Sequence, residues 1–145
     1  MSTIPEQEKI VIGSKEKILL PEIRKSALVA RVDTGAKTSA LHCYSVQVEK
    51  MDHKEVLCVK FARNSKAVLR FPKFSRRTVK SSNGAIQQRF VVPLQLVFGG
   101  KTYKTSFTLT NRSDMNFAAL LGRRFLSNRF IVDVSLSYTL SSAKK

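Results

Sequence analysis

Apolar residues recur at every second position along most of this chain, and glycine, proline or aspartate interrupts them every few residues. A period of two puts alternate side chains on opposite faces of a strand, so the chain is constrained to many short strands. Ile10-Val11-Ile12 stops at Gly13, Ile18-Leu19-Leu20 stops at Pro21, and Ala27 to Val32 stops at Asp33. Tyr44, Val46 and Val48 alternate with polar neighbours, and Val56 to Phe61 follows across a Met51-Asp52-His53 turn. Val68 to Phe71 and a run around Phe74 to Val79 come next. Ile86 to Phe98 meets Tyr103 to Leu109 across Gly99-Gly100, a pair suited to a hairpin turn with positive φ at both positions. Pro93 lies inside the first of these runs and has no N–H for a ladder, which predicts an edge position or a bulge. One segment reads as helix, Arg123 to Ser127, after which Phe130 to Val134 resumes a strand. Many short strands with one short helix predict an all-β barrel or sandwich.

The 145 residues fit one domain, expected over residues 10–138 between polar tails at 1–9 and 139–145, and 43% apolar residues suffice for an ordinary core. No apolar stretch approaches the ~18 residues of a membrane-spanning helix, so no membrane partner is expected. Residues 1–9 do not read as a secretory signal, which predicts a cytoplasmic protein, or a periplasmic one if a signal has been removed. Cys43 and Cys58 fall into neither a CxxC pair nor zinc-finger spacing and are expected as reduced, partly buried thiols on strands. The charge is lopsided: 26 Lys and Arg face 10 Asp and Glu, for a formal +16. Between Glu55 and Asp114 there is no acidic residue, while cations run from Lys60 to Arg112. A field of one sign draws in polyanions. Nucleic acid, an acidic protein or peptide, and a plain solvated basic surface are all compatible with it.

Asp33-Thr34-Gly35 ends a β-branched run and offers chemistry: a carboxylate for acid or base work, a hydroxyl expected to hold the loop, and a glycine that lets backbone N–H groups approach where a Cβ would stand in the way. The tripeptide by itself also suits an ordinary turn. Far downstream, Ala118-Ala119-Leu120-Leu121-Gly122-Arg123-Arg124-Phe125-Leu126 gives apolar residues, then glycine, then a short helix.

These two segments resemble the two halves of the aspartic-protease core. The chain as a whole resembles the retropepsin-like aspartic endopeptidases associated with bacterial glutamate ligases, a family also labelled ATP-dependent zinc proteases. The resemblance rests on Val32 to His42, eleven residues in order, then Val79 to Gly84, Thr108 to Met115, Leu120 to Arg123 and Ile131 to Val134, and it covers roughly residues 10 to 138. Lys37 stands where viral retropepsins usually carry an acidic residue, which points to the bacterial branch. The resemblance implies a closed retropepsin-like barrel with one short C-terminal helix, Asp33, Thr34 and Gly35 as the catalytic loop, and Ala36, Leu120, Leu121, Gly122 and Arg123 as its support. It places Ser81, Ser82, Asn83 and Gly84 where retropepsins carry a flap, and Asn-Gly suits a hairpin tip.

Aspartic proteases hold one water between two carboxylates, and this chain has one Asp-Thr-Gly. The second carboxylate is expected from a second copy in a two-fold homodimer rather than from Asp114 or Asp133, neither of which precedes Thr-Gly. No cofactor is expected. His42-Cys43 and Asp52-His53 do not make a zinc set, since neighbouring strand residues face opposite ways, and no phosphate loop is present. The expected activity is peptide-bond hydrolysis on peptides or proteins, with acidic or glutamate-rich ones favoured by the basic interval. The rival is a non-catalytic basic barrel gripping RNA, the ribosome or an acidic peptide, with Phe61, Phe71, Phe74 and Phe90 interleaved among the cations as stacking surfaces. A degenerate protease that binds without cutting is a third reading.

Overall fold

The computed structural model describes residues 9–63, 66–80, 84–111 and 116–140. Twelve strands and one short helix are defined among them. The sequence motif at residue 33 sits between β3 (Leu28–Val32) and β4 (Ser39–His42), which belong to a seven-stranded sheet. That sheet also holds β2 (Lys15–Ile18), β8 (Ser75–Lys80), β9 (Ile86–Phe98), β10 (Lys101–Thr110) and β11 (Ala119–Leu121), in the order β2-β3-β11-β4-β10-β9-β8. A three-stranded sheet joins β5 (Ser45–Met51), β6 (Lys54–Lys60) and β7 (Leu69–Phe71), and β1 (Ile10–Ile12) pairs in parallel with β12 (Phe130–Val132).

The all-β expectation holds, with a refinement on closure. The ladders make three sheets rather than one continuous barrel, and the large sheet curls back on itself through one bridge. Leu19, just past β2, exchanges two hydrogen bonds with Val97 of β9, at 3.1 and 2.8 Å. That bridge takes the place of the strand expected at Ile18–Leu20, which the structure moves upstream to Lys15–Ile18.

Turns follow the chemistry of their residues. Gly99 and Gly100 have φ of 61° and 83° and close the β9–β10 hairpin. The β5–β6 turn uses Asp52 and His53 at φ 52° and 66°, so two side chains carry a conformation that glycine adopts without strain. Pro93 lies on an interior strand but pairs only with Ser106 of β10, because β8 stops pairing at Val91. Its missing N–H therefore costs no ladder bond on either neighbour.

The core gathers inward-facing residues from both faces of the curl. The helix α1 (Arg123–Leu126) contributes Phe125, whose ring lies 5.8 Å from Phe98, 5.5 Å from Phe130 and 5.2 Å from Tyr103. This aromatic cluster pins a four-residue helix, too short to be stable alone, under the β9–β10 hairpin. Cys43 and Cys58 are free and buried, and burial pushes the Cys43 thiol up to about 11, so it stays protonated at neutral pH.

One buried charge ties the two chain ends together. Glu16 occupies an inward position of β2 and is fully buried. Its carboxylate accepts the N–H groups of Gly13 at 2.8 Å, Thr139 at 3.0 Å and Leu140 at 3.2 Å. Leu140 packs against the core, so residues 139 and 140 are fixed to the domain rather than loose. A buried acceptor that serves three donors is costly to remove, because each orphaned N–H loses its water without a replacement. Glu16→Ala is expected to lower the unfolding free energy by about 3 kcal/mol or more, with Glu16→Gln in between, read from urea denaturation. Equal stability of all three proteins would show that these bonds contribute nothing.

Candidate active site

Asp33 leaves the end of β3 at a crossing of three strands. β11 lies between β3 and β4, parallel to the first (Leu121 beside Val32) and antiparallel to the second (Leu120 beside Ala40). The loop after β3 must therefore pass over the end of β11, where backbone groups of the two segments bond to each other. Asp33 N–H donates to the Leu121 carbonyl at 2.9 Å, and Ala36 N–H donates back to the Asp33 carbonyl at 3.2 Å. Past Leu121 the direction reverses. Gly122 N–H donates to the buried Ser39 hydroxyl oxygen at 3.1 Å, Arg123 N–H to the Ala36 carbonyl at 2.8 Å, and Arg124 N–H to the Lys37 carbonyl at 3.0 Å. The first N–H groups of α1, which have no partner within the helix, are thus satisfied by the loop that carries Asp33.

Gly122 makes the crossing possible. A Cβ there would lie 2.6 Å from the Thr38 carbonyl carbon and oxygen, inside contact distance of rigid backbone. The structure brings Asp33, Ala36, Leu121, Gly122 and Arg123 together as the sequence motif implied, with Leu120 lining the cleft described below. Two details differ from expectation. The Thr34 hydroxyl makes no hydrogen bond among the described residues; Thr34 instead holds the loop through its carbonyl, which accepts from Arg123 Nη1 at 3.2 Å. Gly35 N–H does approach the carboxylate, donating to Asp33 Oδ1 at 3.0 Å, but a Cβ at position 35 would sit 3.4 Å from that oxygen, an ordinary contact. The steric demand falls on Gly122, not Gly35. Thr34 and Gly35 are exposed at the tip, and Asp33 is half-buried.

The flap position is a β8–β9 hairpin whose ladder runs to Lys80 opposite Ile86. Ser81, Ser82 and Asn83 lie outside the described residues, as does Asp114; Gly84 has φ of 90° and is exposed. Between this hairpin and the Asp33 loop runs a cleft of about 460 Å³. Its walls include Ala36, Thr38, Val79 and Leu120, and five cations: Lys37, Arg77, Lys80, Arg89 and Arg124. No carboxylate lines it among the described residues. Arg77 and Arg89 stand directly opposite each other in the ladder, and so share a face. Like charges in that position repel, and among the described residues no carboxylate lines the cleft to relieve it.

The cations were visible in the sequence as an interval, but Lys37 and Arg124 stand outside that interval and join it only through the fold. Asp133, the in-chain alternative for a second carboxylate, is engaged elsewhere. Its Oδ1 accepts the Ser135 hydroxyl at 2.6 Å and the Ser135 N–H at 3.0 Å, bonds that hold this carboxyl below its ordinary range, and it does not line the cleft. Among the described residues no three of His, Cys, Asp and Glu gather as a metal set, and no helix is long and apolar enough to cross a membrane. Phe61, Phe71, Phe74 and Phe90 are partly buried against the core, paired edge to face as Phe61–Phe71 and Phe74–Phe90. Each ring thus contributes to core packing on one side.

An Asp-Thr-Gly loop crossed by an apolar strand that ends in glycine, on an all-β scaffold, is the arrangement of the retropepsin-like class. The family model for the RimB-like retropepsin-like aspartic endopeptidases matches residues 11–143, and the chain belongs to that family. Curated relatives carry another name. Probable alpha-L-glutamate ligases from Shewanella halifaxensis (strain HAW-EB4) and Desulfotalea psychrophila (strain LSv54 / DSM 12343) are 37% and 34% identical, over 91% and 94% of this chain. The match covers 30% and 31% of those proteins, so this chain spans less than a third of their length. The crystal structure of a protein of unknown function from Legionella pneumophila superposes with a TM-score of 0.72 at 26% identity, over 90% of this chain and 98% of that one.

Gly122→Ala is expected to destabilise the protein by about 3 kcal/mol or more, because Thr38 backbone has nowhere to retreat, whereas Gly35→Ala is expected to stay within about 1 kcal/mol of the parent. Thermal unfolding of the two variants checks the ranking, and a reversed order would place the tight contact elsewhere.

Proposed function

We propose that this chain is one half of an aspartic endopeptidase that acts on acidic, glutamate-rich peptides. The observation that carries the reading is the position of Asp33 on the strand crossing beside a cleft walled by five cations and, among the described residues, no carboxylate. The crossing fixes the backbone on both sides of Asp33, and the Gly35 N–H orients one carboxylate oxygen. Two copies related by a two-fold axis would bring their exposed Thr34–Gly35 tips together and set two Asp33 side chains around one water. One carboxylate, ionised, takes a proton from the water as its oxygen attacks the peptide carbonyl. The other, protonated, gives its proton to the carbonyl oxygen. Val11 and Ile131, paired across β1 and β12, are both exposed and offer apolar area for such a pairing.

The substrate class follows from electrostatics. Arg77 and Arg89 repel each other across the ladder, so a polyanion lying between them relieves that repulsion as well as gaining attraction. The names of the glutamate ligases point the same way, since a domain related to part of such enzymes would meet chains of glutamate.

Cleavage of glutamate-rich peptides by wild type is expected to follow a bell on pH, with Asp33→Asn lowering the rate by at least about a hundredfold at every pH. Asn keeps the shape and removes the titrating group, so equal rates in the two proteins would remove Asp33 from the chemistry. Arg77→Gln combined with Arg89→Gln is expected to raise KM for these peptides roughly tenfold, leave a neutral peptide unaffected, and flatten the dependence of KM on salt. A KM that rises equally for both peptides would mean that the arginines shape the cleft without reading charge.

A further inference from the structure

A second pocket, of about 270 Å³, adjoins the cleft on the side away from the hairpin tip, where the start of α1 meets β10. We infer that this pocket binds a compact, doubly charged oxyanion of the phosphate class. Four cations converge on it. Arg77 and Arg124 are shared with the cleft, while Lys104 and Arg129 are not. No ion pair with a carboxylate occupies any of the four among the described residues, in a chain whose acids are outnumbered by its bases, 10 to 26. A monoanion would leave most of this charge unanswered. A dianion with several acceptor oxygens suits guanidinium forks and an ammonium group together.

Arg129 is held in place before any ligand arrives. Its Nη1 donates to the Phe125 carbonyl at 2.7 Å, and its guanidinium lies 5.5 Å from the Tyr103 ring and 5.4 Å from the Phe125 ring. Fixing the side chain in advance lowers the ordering cost of binding. The rest of the wall is hydroxyl-rich. Ser39 and Thr108 are both buried, and Thr105 and Ser106 flank them; the Thr108 hydroxyl gives its hydrogen to the Ser39 carbonyl at 3.2 Å, so the donors to a ligand are the other three. The Ser39 hydroxyl oxygen accepts from Gly122, which leaves its hydrogen to donate. The strand edge beside these groups is also open: β4 pairs with β10 only from Phe107 onward, so Lys104 to Ser106 have no strand on that side among the described residues. Cations, hydroxyl donors and an unpaired backbone edge together make a recess for an oxyanion, and the site stands independently of peptide cleavage.

The test is calorimetric titration of the purified protein with inorganic phosphate and with glycerol 2-phosphate, each against chloride at matched ionic strength. Saturable phosphate binding is expected in wild type, weakened at least tenfold by Lys104→Glu and by Arg129→Gln. Lys50→Glu, an exposed change on β5 in the three-stranded sheet, which contributes no residue to the pocket, is expected to leave binding within twofold. Lys104 is exposed on its strand, so Lys104→Glu keeps the test usable if Arg129→Gln does not fold. Tighter binding of the free ion or of the ester both support the pocket, and identify the cargo as the ion itself or the phosphate of a larger molecule. No heat beyond the chloride control, or an equal loss in Lys50→Glu and Lys104→Glu, would overturn the site and leave only diffuse charge.

Discussion

The contact on which the structure depends is backbone against backbone: Gly122 lies against Thr38 with no side chain between them. That approach lets β11 thread between β3 and β4, and it hands the unpaired N–H groups of α1 to the carbonyls of Ala36 and Lys37. Asp33 is fixed because its own N–H and carbonyl are consumed in the same crossing. Phe125 secures the arrangement from below by seating α1 among Phe98, Phe130 and Tyr103. A carboxylate on an ordinary loop would wander; here both flanks are pinned by strands that are themselves paired on either side.

Around this rigid centre the protein accumulates charge of one sign. Stability alone would not select Arg77 opposite Arg89, nor a cleft with five cations and no acid among the described residues. Such repulsion persists when a ligand that relieves it gives the position its use. The inward-facing acid Glu16 shows the opposite economy, since its charge is buried but three N–H groups answer it.

Much of the fold was legible because period-two patterning maps directly onto strands, and Gly99-Gly100 and Asp52-His53 sit at the turns the pattern required. The helix was legible from Gly122 followed by a short non-alternating run. What stayed hidden was long-range. Nothing local reveals that β11 inserts between β3 and β4, and that the steric need for glycine therefore falls at 122 rather than 35. The role expected of the Thr34 hydroxyl passed to the Arg123 side chain, a partner 89 residues away. Lys37 and Arg124 flank the basic interval in sequence but enter its cleft in space. Glu16 left a signal that periodicity offers to any reader: a charged residue at an inward position, two before buried Ile18.

On the proposed reading each active site is built from two Asp33 carboxylates on two copies of the chain. Unfolding and refolding wild type together with Asp33→Asn at varied ratios, then measuring cleavage of a glutamate-rich peptide, tests it directly. If the site is shared, activity falls as the square of the wild-type fraction, because only homodimers of wild type keep both carboxylates. Activity that falls in simple proportion to that fraction would show each chain working alone and would contradict the account.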